Sequence, residues 1–259
     1  MTSSPRSPRL VLPRRQMMTT SLAALGLSGT AIAAFGQEAG EGGEGGEGAA
    51  MAGLDPRIEA LTHVGLYEAT HRIAVALLEA GNVALAQEHV LSSHHAFYDD
   101  VDEALEVLDG VGFAPTSAAF AAALEAGDAA PALEAGRAVL DGCTAIAAAA
   151  PAAEQMAAIE ALLRVAAADY EGGVQDGTVV LDIEYRDAWG FTRTARAWTE
   201  RLAASDDAAV AGAGAAALQA FAPADALFPA LTATAVPGAD PSVLLGLAAR
   251  VEIAALRLG

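Results

Sequence analysis

The sequence predicts an all-α protein, an antiparallel up-and-down helical bundle of about eight or nine helices. Three observations carry that expectation. The chain is 54% hydrophobic but only 5% aromatic, and alanine dominates the apolar part; alanine favours helix because it loses no side-chain entropy there. Apolar residues recur at helical spacing through segment after segment, and each segment closes on a short Gly-, Asp- or Pro-containing joint. The one run with strand character, "TVVLDI" at 178–183, is too short to outweigh its setting. Short joints between long helices make antiparallel neighbours.

The elements follow in order. Asp55 can cap a helix with Pro56 at its first position, running through "RIEALTHVGLYEATHRIAVALLEAG" to Gly81. A second helix returns to Gly110, either continuous or interrupted at Ser92–Ser93, where a serine could cap a new start. "TSAAFAAALEAG" is a short capped helix, and "DAAPALEAGRAVLDGCTAIAAAA" and "PAAEQMAAIEALLRVAAADYEGG" follow, the latter with Pro151 in its first turn. Asp182 is the expected cap of "IEYRDAWGFTRTARAWTERLAA", with Glu184 in the favourable first turn. Shorter helices are expected around 207–221, 223–233 and 240–258. The folded part is thus one helical domain over 54–259, with a His-rich hairpin at 55–110 and the remaining helices at 116–259.

The residues before it read as an address and a tether. "PRRQMMTTSLAALGLSGTAIAAFGQEAG" has a basic start, a moderately apolar stretch and small residues at a cleavable end. The pair Arg14–Arg15 with its Thr/Gly/Ala-rich apolar region resembles a twin-arginine signal. This resemblance implies passage through the twin-arginine translocase and cleavage near residues 33–37, leaving a periplasmic protein. A membrane anchor over 16–37 is the rival reading, but three threonines, two serines and two glycines before residue 31 make a poor lipid helix. Initiation at Met17 or Met18 would remove the arginine pair. A Gly/Glu-rich tether, 37–53, has nothing to bury. No later stretch is long and apolar enough to span, so no transmembrane segment is expected once the signal is cleaved.

Charge excludes one class of partner. The formal net charge is −19, every basic residue is arginine, and four of the 14 arginines precede residue 16, where there are no acids. The rest of the chain therefore sets ten arginines against 33 acids and repels phosphate backbones, so nucleic acid is not an expected partner. The single Cys143 allows no intrachain disulfide. No nucleophile elbow, P-loop or dinucleotide fingerprint is present, and no enzyme activity is expected.

All five histidines lie between His63 and His95. At about 100° per residue, His63, Tyr67 and His71 share one side of the first helix, away from both its Leu/Ile arc and its charged face. Folding the second helix back near Gly81 brings His89 level with His71 and His94 near Tyr67. If that helix is continuous, Val90, Phe97, Val101, Leu105 and Leu108 mark its inner side, with His94 among them and Tyr98 at the margin. His95 then points outward with Asp99 and Asp102. Imidazoles so placed suit a transition metal or haem, with carboxylates and tyrosines orienting them. The candidate ligands are His63, His71, His89 and His94, for iron, copper or haem; Tyr67, Glu68 and Tyr98 are candidate supporting groups. Glu68 and His71 make one Glu-x-x-His, whereas a di-metal bundle site needs two. The plain alternative is a set of half-buried packing histidines.

"AADYEGGVQDGTVVLDIEYRDAWGF" (167–191) resembles a segment in the periplasmic portion of bacterial high-affinity iron permeases and related exported helical proteins. Asp169, Tyr170, Gly173, Val174, Asp176, Gly177, Glu184 and Tyr185 carry the resemblance. It implies a stand-alone relative of that helical module, not the transporter, because the later spans and the Arg-Glu-x-x-Glu motif are missing. It also implies an iron-uptake membrane complex as partner, and cation handling by Asp169, Glu184 or Asp187. Read from the residues alone, the same segment is a connector: a turn at Asp176–Gly177, a cap, and two tyrosines packed across two helices. Two functions follow: a metal- or haem-associated accessory factor in iron uptake or handling, or a metal-free helical module docking a membrane complex.

Overall fold

The computed structural model describes residues 48–238 and 240–258. The signal-like segment with Arg14 and Arg15, and the tether up to residue 47, lie outside the described residues. Nine α-helices of ten residues or more are present among the described residues: α1 (Pro56–Glu79), α2 (Val83–Ser92), α3 (Tyr98–Leu108), α4 (Ala114–Glu125), α5 (Ala129–Ala149), α6 (Ala152–Gly173), α7 (Asp182–Ala203), α8 (Ala208–Leu218) and α9 (Ser242–Ala255). The all-α bundle expected from the sequence is the observed class. Residues 48–51 add a helical turn, with Ala50 and Met51 packed on the core.

Helix α1 is the hub. Asp55 caps it by accepting from the Arg57 N–H, and Pro56 occupies its first turn. It contacts α2, α3, α5, α6 and α7. Leu61, Leu66 and Ala69 face one core cluster, with α6, α7, α8 and α9. Ala60, Val64, Tyr67, Ile73, Ala74 and Leu77 face a second, with α2 to α5. A helix apolar on both sides must be covered on both, and the polar groups it carries inward must find partners there.

Three details depart from expectation. The expected helix at 223–233 is a 3-10 segment, Gln219–Leu227, containing Pro223, followed by turns. Proline removes an N–H there, and hydroxyls of two tyrosines hold the chain: Tyr170 donates to the Leu227 carbonyl and Tyr185 to that of Ala230. "TVVLDI" contributes a strand after all: Thr178–Val179 pairs antiparallel with Val174–Gln175 about the Asp176–Gly177 turn, where both residues have positive φ. Leu181, not Asp182, is the residue before α7, so Asp182 acts as a first-turn charge.

Candidate functional site

The second helix does break at the serines, and the break re-aims the histidines. Helix α2 ends at Ser92, Ser93 is extended (φ −76°, ψ 129°), and a 3-10 turn spans His94–Ala96 before α3 begins. The Ser93 hydroxyl accepts from the His95 N–H and meets the Thr70 hydroxyl at 3.2 Å on α1. The helical wheel drawn through this point is therefore out of phase. His95 is buried, its ring 5.5 Å from that of Phe191 on α7, while His94 and Phe97 are exposed. The expected roles of His94 and His95 are exchanged. Val101 and Leu105 do face inward, as the apolar spacing of α3 requires.

The other candidates fall into different neighbourhoods. His71 is buried on α1; its Nδ1–H donates to the Tyr67 carbonyl at 2.8 Å, and its ring packs 4.1 Å from Tyr67 and 4.9 Å from Phe120. That bond fixes the tautomer and leaves Nε2 with the lone pair. His89 is wholly buried on α2, with Nε2 3.5 Å from Asp187 Oδ1 of α7 and no hydrogen bond to either ring nitrogen. Burial lowers the pKa of His71 to about 4. Burial first, then the neighbouring positive charge of Arg186, lowers that of His89 to about 3. Both are neutral imidazoles at any ordinary pH. His63 is half-buried in a groove between α1 and α3, with Glu59, Asp100 and Glu103. Among the described residues no three His, Cys, Asp or Glu side chains come together in a way that could hold a metal ion.

The expected supporting groups serve packing and charge balance. The Tyr67 hydroxyl pairs with Ser117 at 2.6 Å, and burial pushes its pKa up. Tyr98 stands edge-on to Tyr67, 5.9 Å between ring centres, and its hydroxyl accepts from the Phe113 N–H at 2.6 Å. Glu68 turns toward α7. Fully buried, it accepts from Trp198 Nε1 at 2.9 Å and from Arg72 at 2.6 Å, and Arg72 also donates to Thr194. Burial raises the Glu68 pKa, opposed by Arg72. Glu68 and His71 thus address different neighbours, and the Glu-x-x-His does not converge. Asp169 is buried at the end of α6. The Glu184 carboxylate lies over Gly172, where an added Cβ would collide with it.

Sequence reasoning missed the group that closes this seam. Arg186 is 4% exposed, donates to the Asp182 carbonyl at 3.0 Å and reaches Glu88 at 3.4 Å. With His89 and Asp187 it forms a buried polar contact between α2 and α7. The missed signal was the isolated Arg186–Asp187 pair near the start of an otherwise inward-facing helix turn. Trp198, opposite Glu68, was likewise unassigned.

The arrangement suits holding helices in register. The α6–α7 hairpin does match the connector expected from its residues. Tyr170 and Tyr185 are both buried, 6.3 Å apart, around Phe228. Residues 147–254 match the family model described as the iron permease-associated 4-helix bundle domain. That span holds four helices, α6 to α9, and includes the whole resembling segment 167–191. This part of the chain is therefore similar to a helical domain associated with iron permeases. No curated protein and no solved structure gave a match to the chain. No helix among the described residues is long and apolar enough to cross a membrane.

Proposed function

We propose that the protein is an exported helical accessory factor of iron uptake, and that it works by docking a membrane permease complex rather than by chemistry of its own. The observation that carries this reading is the iron permease-associated match, which falls on the four-helix unit α6 to α9. The buried polar seam supports it. His71, His89 and Glu68 are committed to partners or packing inside the fold, so the seam ties the His-rich helices to the matched half. In this reading His63 and His94, the accessible members of the expected ligand set, are not needed for function.

The test is uptake of radioactive iron by a strain lacking the protein, under iron limitation. The expected result is reduced uptake, restored by the wild-type chain and equally by a His63→Ala/His94→Ala variant. Unchanged uptake in the deletion strain removes the iron reading. Failure of the double variant, with its fold intact, returns the argument to a metal-holding role. Export by the twin-arginine route is part of the proposal. Arg14→Lys/Arg15→Lys should leave the unprocessed chain in the cytoplasm, read by fractionation and by the N-terminal sequence of the mature protein.

A further inference from the structure

Helix α9 is apolar on both sides, yet the described residues cover only one of them. Leu244, Leu247, Ala248, Val251 and Ala254 are buried against the bundle. On the opposite arc Leu245, Ala249 and Ile253 are exposed, and Leu256 in the 3-10 turn that follows continues them, with Leu245 49%, Ile253 65% and Leu256 76% exposed. Single exposed apolar residues need no explanation, but a stripe of them along one helix marks a surface that another element covers.

Charge says what the cover carries. Of the ten arginines in the described residues, Arg57, Arg72, Arg137, Arg164, Arg186, Arg193 and Arg196 each pair with a carboxylate, and Arg201 bonds Gln155. Arg250 and Arg257 have no carboxylate partner among the described residues, although the chain holds 33 acids. Both line a groove of about 360 Å³ between α8, the 3-10 segment and α9, with Ile253 and Gln219 between them. Arg257 donates to the Gly212 carbonyl at 3.3 Å. Arg257 lies in the 3-10 turn Leu256–Leu258 that follows α9, and it faces the same groove as Arg250.

We infer that the outer face of α9 is a docking site for an acidic amphipathic helix of a partner protein. Its apolar side covers Leu245, Ala249, Ile253 and Leu256, and its carboxylates meet Arg250 and Arg257. This is the helix-in-groove mode of recognition. A second copy of this chain fits less well. Antiparallel pairing of α9 about Ala249 sets each Arg250 on the same flank as the other, like charge against like. Vesicle binding is the outcome that would instead assign this face to an anionic bilayer. The inference deepens the proposed function by naming the surface through which docking occurs, and rests on that reading for the partner's place in a membrane complex.

The test uses the purified exported protein and two labelled helical peptides. Both carry a Leu/Ile stripe; one has Glu and the other Lys at two positions seven apart. The Glu peptide should bind at least about tenfold tighter than the Lys peptide. Ile253→Asp should weaken it by a similar factor, and Arg250→Glu/Arg257→Glu should reverse the preference. Leu256→Asp is the second variant if Ile253→Asp alters the circular dichroism. Equal binding of both peptides, or of neither, overturns the inference. So does binding to phosphatidylcholine/phosphatidylglycerol vesicles that Ile253→Asp abolishes, or self-association by sedimentation that it abolishes. In cells the variants separate the two claims. If deletion lowers iron uptake but Ile253→Asp restores it fully, the function stands and this surface is wrong. If deletion has no effect on uptake, the function fails, and the peptide preference still decides the surface.

Discussion

At the scale of the residue, His89 is a cost that the fold carries. Its imidazole is fully buried, neutral, and without a hydrogen bond at either nitrogen, 3.5 Å from the Asp187 carboxylate. An unsatisfied buried polar group costs about 1–3 kcal/mol, and an apolar side chain of similar volume removes that cost. His89→Leu should therefore raise the melting temperature by a few degrees, since 1 kcal/mol is worth about 2–4 °C in a domain of this size. A lower melting temperature in a calorimetric scan would show that the contact with Asp187 holds α2 to α7. Glu68 gives the opposite sign. Its carboxylate answers both Trp198 Nε1 and Arg72, so Glu68→Ala leaves a buried N–H and a cation unpaired and should cost about 3–5 kcal/mol. Denaturant titration measures it. The sequence showed that the histidines cluster but not which of them point inward. That depended on one extended residue, Ser93, and a 3-10 turn whose phase no wheel drawn through it preserves.

Helix contacts in an alanine-rich bundle are set by the smallest residues. In α8 the two glycines have different surroundings. A Cβ at Gly214 would press into the α7 backbone, 2.7 Å from the Leu202 carbonyl carbon and closer still to the Ala203 nitrogen, whereas a Cβ at Gly212 meets nothing within 4 Å. Backbone cannot step aside as a flexible side chain does. Gly214→Ala should thus separate α8 from α7 and lower stability by about 1–3 kcal/mol, the usual cost of overpacking. Gly212→Ala should be neutral or stabilising by up to about 1 kcal/mol, the helix propensity difference. Thermal unfolding of the two variants reads the contrast directly, and equal effects would mean that the α7–α8 contact is looser than the structure has it. Helix positions were legible from periodicity and joints because both are local. The 3-10 segment after α8 was not, because it is fixed by hydroxyls of Tyr170 and Tyr185 from helices far away in sequence. The little hairpin was legible at its turn, Asp176–Gly177, but not as strand, since its pairing extends to Thr234 and Val236.

At the scale of the whole molecule, two sealed imidazoles make the fold sensitive to acid. His71 and His89 have folded pKa values near 4 and 3 against the ordinary 6.5. Above pH 6.5 neither the folded nor the unfolded chain protonates them, and their contribution to stability is fully present. Below it the unfolded chain takes up protons that the folded chain refuses, so stability falls as pH drops, through about 4 for His71 and about 3 for His89. Each group costs about 1.4 kcal/mol per pH unit within its window. Two effects run the other way. The buried Glu68 carboxyl has a raised pKa and so binds a proton in the folded state before the unfolded chain does. The excess of carboxylates also repels itself less as pH nears the isoelectric point of about 4.4. The expected outcome is a urea midpoint that declines between pH 6.5 and 4.5. His89→Leu should roughly halve the histidine part of that decline. Glu68→Gln should steepen it, because it removes the proton uptake that favours the fold. A wild-type midpoint that rises over this range, together with a His89→Leu variant of identical slope, would mean that water reaches the α1–α2–α7 seam and that its histidines titrate as they do in the unfolded chain.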